Sequence, residues 1–269
     1  MSKIIKLIKA INILLKKPYL FNKVLSDDGE HKEQVIRANS QMEKGFPLVD
    51  LLDLIPNFNE TITPFSFLNG GSLPTDIALL KGLCKQKEDC TYFEIGTWRG
   101  ESVCNVAQKA KTCYTLNLSD DELIRLGYQE EYLNQQGFYS KEIDNIVHLK
   151  GNSFDFDFSP YYNKCDLVFI DGDHRYESVV NDTKIAFKLL KDEHSIIVWH
   201  DYSSHPGKIR WEVLRGIFDG TPTVKKSKLH AISNTLCAIY SAKKLPTIVE
   251  KLSPNKVFNL NIKAEKISN

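Results

Sequence analysis

The sequence predicts an α/β protein built on an open, mostly parallel sheet that is covered by helices on both faces. From Thr91 onward, short apolar runs rich in β-branched residues alternate with helical patterns, and this alternation is typical of parallel sheets. The last apolar run, Leu236–Ser241, follows a turn-rich stretch at Gly220–Pro222 that leaves little room for a crossover helix. The last strand is therefore expected to enter the sheet antiparallel.

The strands and helices follow one another in a regular order. Strands are predicted at the runs TYFEI, CYTLNL, IVHLK, DLVFI, SIIVW and Leu236–Ser241. Helices are predicted after Gly100, in the polar stretch after the second strand, from about Tyr176 to Leu190 and from about Lys208 to Phe218. A helix from about Thr75 to Cys84, with Thr75 as its N-cap, precedes the first strand.

The chain divides into three parts by composition. Residues 1–70 are expected to form an N-terminal helical extension with a loop-rich connection, residues 71–245 the main domain and residues 246–269 a C-terminal tail. The first 25 residues form a basic amphipathic pattern, whose apolar stripe is Ile4, Ile5, Ile8, Ile11 and Leu15. Two interpretations remain open: the stripe contacts an anionic membrane surface, or it packs on the protein's own core or on a second subunit of a homo-oligomer.

Composition excludes several classes of protein. With 269 residues, 42% hydrophobic and 26% charged, the chain can bury a full core. Its 35 Lys and Arg against 34 Asp and Glu give a net charge of +1, so there is no basic field for a nucleic-acid partner. The six cysteines contain no C-x-x-C pair, and the longest uncharged stretch near the start, Ala10–Leu15, is too short to span a membrane. A cytoplasmic location is expected, with peripheral contact at the inner membrane as the alternative.

A glycine turn with an acidic residue follows the first strand of the main domain. Glu94, Gly96 and Gly100 form an E-x-G-x-x-x-G pattern that enters a helix. The glycines permit tight turning and close approach of a ligand to the backbone. Trp98 stands where dinucleotide-binding enzymes place their second glycine, which argues against a pyrophosphate ligand.

Two acidic clusters, each with a histidine, follow the fourth and fifth strands. They are Asp171-Gly172-Asp173-His174 and His200-Asp201. Because parallel strands end at the same edge of a sheet, these residues are expected to meet in one crevice. Asp171, His200 and Asp201 would then offer two oxygens and one nitrogen to a divalent ion. The alternative is structural, with Asp173 capping the following helix and His200 as a hydrogen-bonded core residue.

The runs YFEIGTWRGES and CDLVFIDGDHRYESVVNDTKIAFKLLKDEHSIIVWHDY resemble class I S-adenosylmethionine-dependent methyltransferases, in particular a bacterial group with D-G-x-H-x-Y and H-D-Y at two strand ends. The resemblance covers roughly Phe67–Ala242. It implies a Rossmann-like sheet of about seven strands with the last one antiparallel. It also places five residues around the methionine part of the cofactor, namely Glu94, Gly96, Thr97, Gly100 and Ser102.

The same resemblance suggests roles for residues at the other strand ends. Such enzymes commonly hold the ribose and the adenine with acids, whereas this chain has Asn117 and then Asn152 with Ser153 at those places. An Asn side chain lacks the paired acceptors of a carboxylate. Related enzymes that methylate sugar hydroxyls bind a magnesium-like ion with acids at the positions of Asp171 and Asp201, and His200 stands where some of them carry an acid.

These observations predict an enzyme that transfers a methyl group from S-adenosylmethionine to a hydroxyl, most simply of a sugar in a bacterial glycan or glycosylated metabolite. Asp171 and Asp201 would hold Mg2+ or another divalent cation, with His200, and Asp171 would also contact the cofactor. His174 is the candidate general base, because the pKa of a histidine lies near neutrality. Two alternatives remain: a catalytically inactive binding protein on this fold, suggested by Asn117 and Asn152, and a metal-dependent hydroxylase or hydrolase.

Overall fold

The computed structural model of the protein describes residues 2–17, 28–68, 70–249 and 253–267. Its main feature is an eight-stranded sheet with the order β1-β9-β10-β6-β5-β2-β3-β4. The strands of the described chain are β1 (Leu48–Val49), β2 (Thr91–Ile95), β3 (Thr112–Asn117), β4 (Ile146–Lys150), β5 (Leu167–Ile170), β6 (Ile196–Trp199), β7 (Ser203–His205), β8 (Lys208–Ile209), β9 (Leu229–Ile232) and β10 (Ala238–Ser241). Strands β7 and β8 form a separate two-stranded sheet.

Helices cover the sheet. Those in the described residues are α1 (Lys3–Lys16), α2 (Asp28–Ala38), α3 (Leu51–Leu54), α4 (Pro74–Lys85), α5 (Glu101–Ala107), α6 (Asp120–Arg125), α7 (Glu130–Leu133), α8 (Tyr176–Leu189) and α9 (Trp211–Gly220). Two buried apolar clusters lie on the two faces of the sheet, as the near-continuous apolar strands predict. Within the ranges that the structure describes, no helix combines the length and apolar character needed to cross a bilayer.

Strands β3, β2, β5 and β6 are parallel neighbours, so their carboxyl ends lie at one edge. Glu94 of β2 lies opposite Thr115 of β3 and Phe169 of β5. Strand β6 continues the register, with Trp199 beside Ile170. The residues that follow these strands therefore converge on one crevice, as the sequence predicts.

The expected open sheet with an antiparallel last strand is confirmed, and the structure adds two strands. Strand β10 runs antiparallel to both of its neighbours, β6 and β9. Strand β9 reaches β10 through a short turn, which explains why no crossover helix is needed after Gly220–Pro222. Strand β1 is parallel to β9. Neither β1 nor β9 was predicted, because two- and four-residue runs beside lysines and turn residues carry too little periodicity.

Two predicted helix starts are wrong. The helix expected from about Lys208 begins at Trp211, because Lys208–Ile209 pairs with β7 in a short hairpin. Thr75 is not the N-cap of α4. That helix begins at Pro74, and the side chain of Asp76 accepts a hydrogen bond from the backbone N–H of Leu73 at 2.7 Å.

The N-terminal region contributes to the core. Phe46, Val49 and Leu51 are buried with the residues of the sheet, and the backbone N–H of Phe46 donates to the hydroxyl of Tyr202 at 3.0 Å. Residues 46–55 thus belong to the same packed body as the strands. The three predicted divisions (1–70, 71–245 and 246–269) stay a prediction. At the other end, residues 253–267 form no helix or strand.

Helix α1 is a 14-residue helix of which no residue is buried. Ser2 caps it by accepting from the N–H of Ile5. The amphipathic pattern was predicted over the first 25 residues, and residues 18–25 lie outside the described part. One alternative interpretation, that the apolar stripe packs on the protein's own core, is wrong for α1 within the part of the chain that is described.

Candidate functional site

A cavity of about 780 Å³ opens at the carboxyl ends of β2, β3, β4 and β5. This volume lies within the range of small-molecule sites. The predicted site residues that line it are Gly96, Thr97, Gly100, Ser102, Asn117, Asn152, Ser153, Asp171, His174 and Asp201. Glu94 and His200 are the two predicted site residues that do not appear in its wall.

The glycine turn forms the floor of the cavity and depends on backbone conformations that favour glycine. Gly96 has φ 104°, and a Cβ there would lie 2.1 Å from the backbone oxygen of Asp171. Gly100 has φ 79° and serves as the N-cap of α5. Trp98 also has a positive φ, 39°, which is a strained value for a bulky residue. The backbone N–H of Gly96 donates to the carbonyl of Leu116 at 2.9 Å and that of Gly100 to the carbonyl of Thr97 at 2.8 Å, and these bonds fix the geometry of the turn.

Glu94 lies beneath this turn and is fully buried. Its carboxyl group accepts hydrogen bonds from the hydroxyls of Tyr92 at 2.5 Å and Thr115 at 3.4 Å. Burial raises the pKa of Glu94 to about 8, although bonds from Tyr92 and Ser102 oppose the shift. The placement of Glu94 around the methionine part of the cofactor stays a prediction. Within the protein, the hydrogen bonds of Glu94 connect β2 to β3 next to the turn.

Neutral side chains stand at the ends of β3 and β4. The side-chain amide of Asn117 donates to the side-chain oxygen of Gln136, and Asn152 accepts from the backbone N–H of Phe154 at 3.1 Å. Ser153 accepts from the side chain of Asn181 through its backbone oxygen at 3.1 Å. A residue that the sequence analysis missed, Asp182 of α8, is buried in this wall, and burial raises its pKa to about 6.

The two strand-end clusters meet around His200. Its Nδ1 atom lies 3.0 Å from Asp171 and 3.1 Å from Asp201. One ligand atom from each of these three residues lies within 4.8 Å of the others. The convergence that the sequence predicts is thus present, and its two oxygens and one nitrogen are donors suited to a divalent ion.

Asp76 of α4 completes the cluster and was missed by the sequence analysis. It is fully buried, and its Oδ2 atom lies 3.2 Å from Nε2 of His200. Its other oxygen accepts from the backbone N–H of Leu236 at 2.8 Å, just before β10. A carboxylate that binds the far nitrogen of a ligating histidine fixes the ring orientation and the tautomer. Asp76 therefore directs Nδ1 of His200 toward Asp171 and Asp201.

The carboxylates control the protonation of this cluster. Burial lowers the pKa of His200, but the charge and hydrogen bond of Asp171 and the bonds to Asp201 and Asp76 raise it well above its ordinary value. Burial raises the pKa of Asp201, whereas His200, His174 and Arg210 lower it, with a net value of about 2. Arg210 lies 2.9 Å from Asp201. The cluster is therefore a place where positive charge is strongly favoured.

His174 and Asp173 occupy different positions in the loop after β5. The side chain of His174 is half exposed, and its Nδ1 atom lies 3.3 Å from Asp201. Asp173 accepts from the backbone N–H of Arg175 at 3.2 Å and from the hydroxyl of Ser178 at 2.9 Å. Asp173 thus contacts the start of α8 without capping it, since the N-cap is Arg175 and has no side-chain cap hydrogen bond, while an acid lies beside His174.

Aromatic side chains form another part of the cavity wall. The rings of Trp98 and Tyr132 are stacked at 5.9 Å, and those of Tyr132 and Tyr128 at 4.4 Å. The guanidinium of Arg99 lies 3.9 Å from the Trp98 ring and pairs with Glu101 at 3.0 Å. Tyr128 and Tyr132 come from the polar stretch after β3, where weak periodicity gives no sign that they reach the site.

Comparison with known proteins agrees with this site. Residues 93–202 match the family model described as "Methyltransferase domain". This span contains the glycine turn and both strand-end clusters. Because the matched span is less than half of the chain, it marks a similarity to methyltransferase domains, in agreement with the resemblance that the sequence shows.

Individual relatives are more distant. An uncharacterized protein of Acanthamoeba polyphaga mimivirus is 32% identical over 130 residues, which cover 47% of this chain and 56% of that protein. The match thus spans little more than half of the viral relative. Similar solved structures include a Podospora anserina methyltransferase bound to S-adenosylhomocysteine (13% identity, 68% of this chain and 84% of that chain, TM-score 0.46). Another is a Bacillus cereus O-methyltransferase in complex with S-adenosylhomocysteine (15% identity, 78% and 89%, TM-score 0.41).

Replacing Asp76 by Asn should destabilise the protein by about 3 kcal/mol, because an amide cannot accept from His200 and Leu236 as a buried carboxylate does. Urea unfolding measures the change. Asp53→Asn, at an exposed acid of α3, is the matched control and should change the free energy of unfolding by less than about 0.5 kcal/mol. Equal stabilities of the two variants would contradict the role given to Asp76.

Glu94→Gln should change how stability depends on pH. The pKa of Glu94 rises from its ordinary 4.5 to about 8 in the folded protein, so the proton stabilises the folded state. This stabilisation is complete below pH 4.5 and is lost between pH 4.5 and about 8. The wild type should therefore lose stability relative to Glu94→Gln between these limits. A constant difference in unfolding free energy across this range would show that Glu94 is ionised throughout.

Proposed function

We propose that this protein transfers the methyl group of S-adenosylmethionine to a hydroxyl oxygen of a sugar, within a bacterial glycan or a glycosylated metabolite, with the assistance of a divalent ion. The observation that supports this most is the continuity of the cavity. Its wall includes both the glycine turn at Gly96 and the acidic residues Asp171 and Asp201 of the histidine cluster. A cofactor on the turn and a hydroxyl at the cluster would therefore share one space.

The turn fits the cofactor by shape and by chemistry. Gly96 and Gly100 line this part of the cavity together with Thr97, Ser102 and Asp171. Asp171 offers an acceptor suited to an amino group. S-adenosylmethionine, when bound, supplies a methyl group on a positively charged sulfur. The net negative character of the cluster favours a positive charge there.

We propose that the nucleoside part of the cofactor contacts Asn117, Asn152 and Ser153. Asn117 retains one acceptor oxygen, and Gln136 beside it adds a second amide. Neutral amides bind a ribose hydroxyl more weakly than a carboxylate does. We therefore expect moderate rather than tight cofactor affinity, set mainly by the turn and by the apolar wall.

Asp171, His200 and Asp201 fit a divalent ion of the magnesium, manganese or zinc type. The donor set combines two carboxylates with an imidazole whose far nitrogen is bonded to Asp76. This arrangement is the outer-shell pattern common to ligating histidines. A bound ion would supply acidity to a coordinated sugar hydroxyl. Because Nδ1 of His200 must lose its proton to ligate, metal affinity should rise with pH.

His174 is proposed as the general base. It is half exposed at the cavity mouth, and Asp201 lies 3.3 Å from its Nδ1 atom. A carboxylate at Nδ1 leaves Nε2 of His174 as the acceptor for the proton of a hydroxyl in the cavity. His174 would accept the proton of the hydroxyl as the oxygen bonds to the methyl carbon and the bond from that carbon to sulfur breaks, leaving S-adenosylhomocysteine. The exposure of His174 would let the proton pass to solvent.

The aromatic wall supports a sugar as the acceptor. Trp98, Tyr128 and Tyr132 present ring faces and edges in the cavity lining. Aromatic rings pack well on the apolar faces of sugar rings, while the hydroxyls turn to acids such as Asp171. We also propose that the protein is located in the cytoplasm and that it belongs to the bacterial group with both strand-end motifs.

The alternative functions differ in what happens to S-adenosylmethionine and to the acceptor. An inactive binding protein would retain S-adenosylmethionine unchanged, and a hydroxylase or hydrolase would alter the acceptor without forming S-adenosylhomocysteine. The test incubates the purified protein with methyl-labelled S-adenosylmethionine and a panel of nucleotide sugars and oligosaccharides. Label in a sugar, together with S-adenosylhomocysteine, supports the proposal. Product without label, or no product with any acceptor, supports an alternative.

Chelation should abolish methyl transfer, and added Mg2+ or Mn2+ should restore it. Asp201→Asn should lower kcat by at least about 100-fold, because it removes an ion ligand and the partner of His174, while cofactor affinity changes less than about threefold. Asp155→Asn, at an exposed acid after β4, is the control. Full activity after exhaustive chelation would mean that the acids position substrate without an ion.

A further inference from the structure

One amphipathic helix within the described residues is exposed to solvent along its length. Helix α1 has 14 residues and buries none of them. Ile4 and Leu15, near its two ends, are 69% and 70% exposed, and Ile8 in its centre is 61% exposed. Such large aliphatic residues are normally removed from water, so a continuous exposed row of them marks a contact surface.

The two faces of α1 differ in chemistry. With 100° of rotation per residue, six of the eight large apolar residues fall on one side of the helix. They are Ile4, Leu7, Ile8, Ile11, Leu14 and Leu15. Lys6, Lys9 and Lys16 lie on the opposite side, together with Ile5 and Ile13. Long lysine side chains at the margins of an apolar face can extend their ammonium groups to lipid headgroups while the face is buried.

Charge is distributed unequally along the chain. Residues 1–26 contain six of the 35 basic residues and none of the 34 acidic ones, so the remaining chain carries 29 basic and 34 acidic residues. A basic segment is thus joined to a body of net negative charge. An anionic surface attracts the basic N-terminal segment and repels the negatively charged body. Contact with such a surface is therefore confined to the N-terminal segment.

A second copy of the chain is a weaker candidate for the occupant. Ile4, Leu7, Ile11 and Leu14 have the spacing of a coiled coil, but 14 residues contain only two heptads. Coiled coils normally need at least about three heptads.

We infer that α1 binds an anionic lipid surface, lying in the plane of the interface with its aliphatic face in the headgroup region and its lysines against the phosphates. Its length of about 21 Å suits this orientation. Such binding would hold the protein where amphiphilic acceptors are found. The inference concerns α1 alone and does not depend on methyl transfer.

The test is cosedimentation of the full-length protein with vesicles of phosphatidylcholine alone or with one quarter phosphatidylglycerol. We expect binding to the anionic vesicles, little binding to the neutral ones, and weakening by salt. Lys6→Gln with Lys9→Gln and Lys16→Gln should weaken binding on the order of 100-fold, at about fivefold for each charge. The matched control changes three exposed lysines elsewhere, Lys184, Lys208 and Lys244, to Gln and should bind as the wild type does.

The apolar face is tested separately. Ile8→Asp with Ile11→Asp should abolish binding, whereas Val224→Asp with Val257→Asp, at residues 87% and 86% exposed, should not. Circular dichroism should show both variants folded, since no α1 residue is buried. Equal binding to neutral vesicles, or no binding by the wild type, would overturn the inference. Dissociation of an oligomer by the Ile8 and Ile11 changes, without vesicle binding, would instead assign the face to a second copy.

Discussion

The buried carboxylate of Asp76 is the interaction on which the arrangement of the site depends. It lies in the first turn of α4, yet it bonds to His200 after β6 and to the backbone of Leu236 before β10. Three segments far apart in the chain are thus fixed to one side chain. Since a buried charge is costly without partners, this cluster forms only when helix, strand end and turn are all in place.

The same cluster explains the electrostatics of the cavity. Asp76, Asp171 and Asp201 surround one imidazole, and Arg210 reaches only Asp201. Acids therefore outnumber the fixed positive groups in a poorly solvated space, and a cation relieves the imbalance. A divalent ion at the cluster and a sulfonium on the neighbouring turn would both meet this requirement. The same negative electrostatic potential would then favour both substrate binding and ion binding.

Sequence patterns predicted the parts of the fold and site that local chemistry determines. Asp171 and Asp201 were placed together because they follow neighbouring parallel strands, and the antiparallel last strand followed from a short connection. Asp76 was missed because its contact with His200 spans 124 positions in the chain, and an acid in the first turn of a helix is otherwise an ordinary capping residue. The burial of Glu94 could not be predicted either. A strand pattern does not reveal whether the side chain at the end of a strand is buried in the protein or lines the cavity.

The most direct measurement of the central claim is a crystal structure of the full-length protein grown with S-adenosylhomocysteine and Mn2+. We expect S-adenosylhomocysteine to lie on the turn from Gly96 to Ser102. We also expect an anomalous Mn2+ peak on the order of 2.1 Å from one atom each of Asp171, His200 and Asp201. A product bound elsewhere, or a fully occupied turn with His200 still paired to its carboxylates and no ion at saturating Mn2+, would contradict the account.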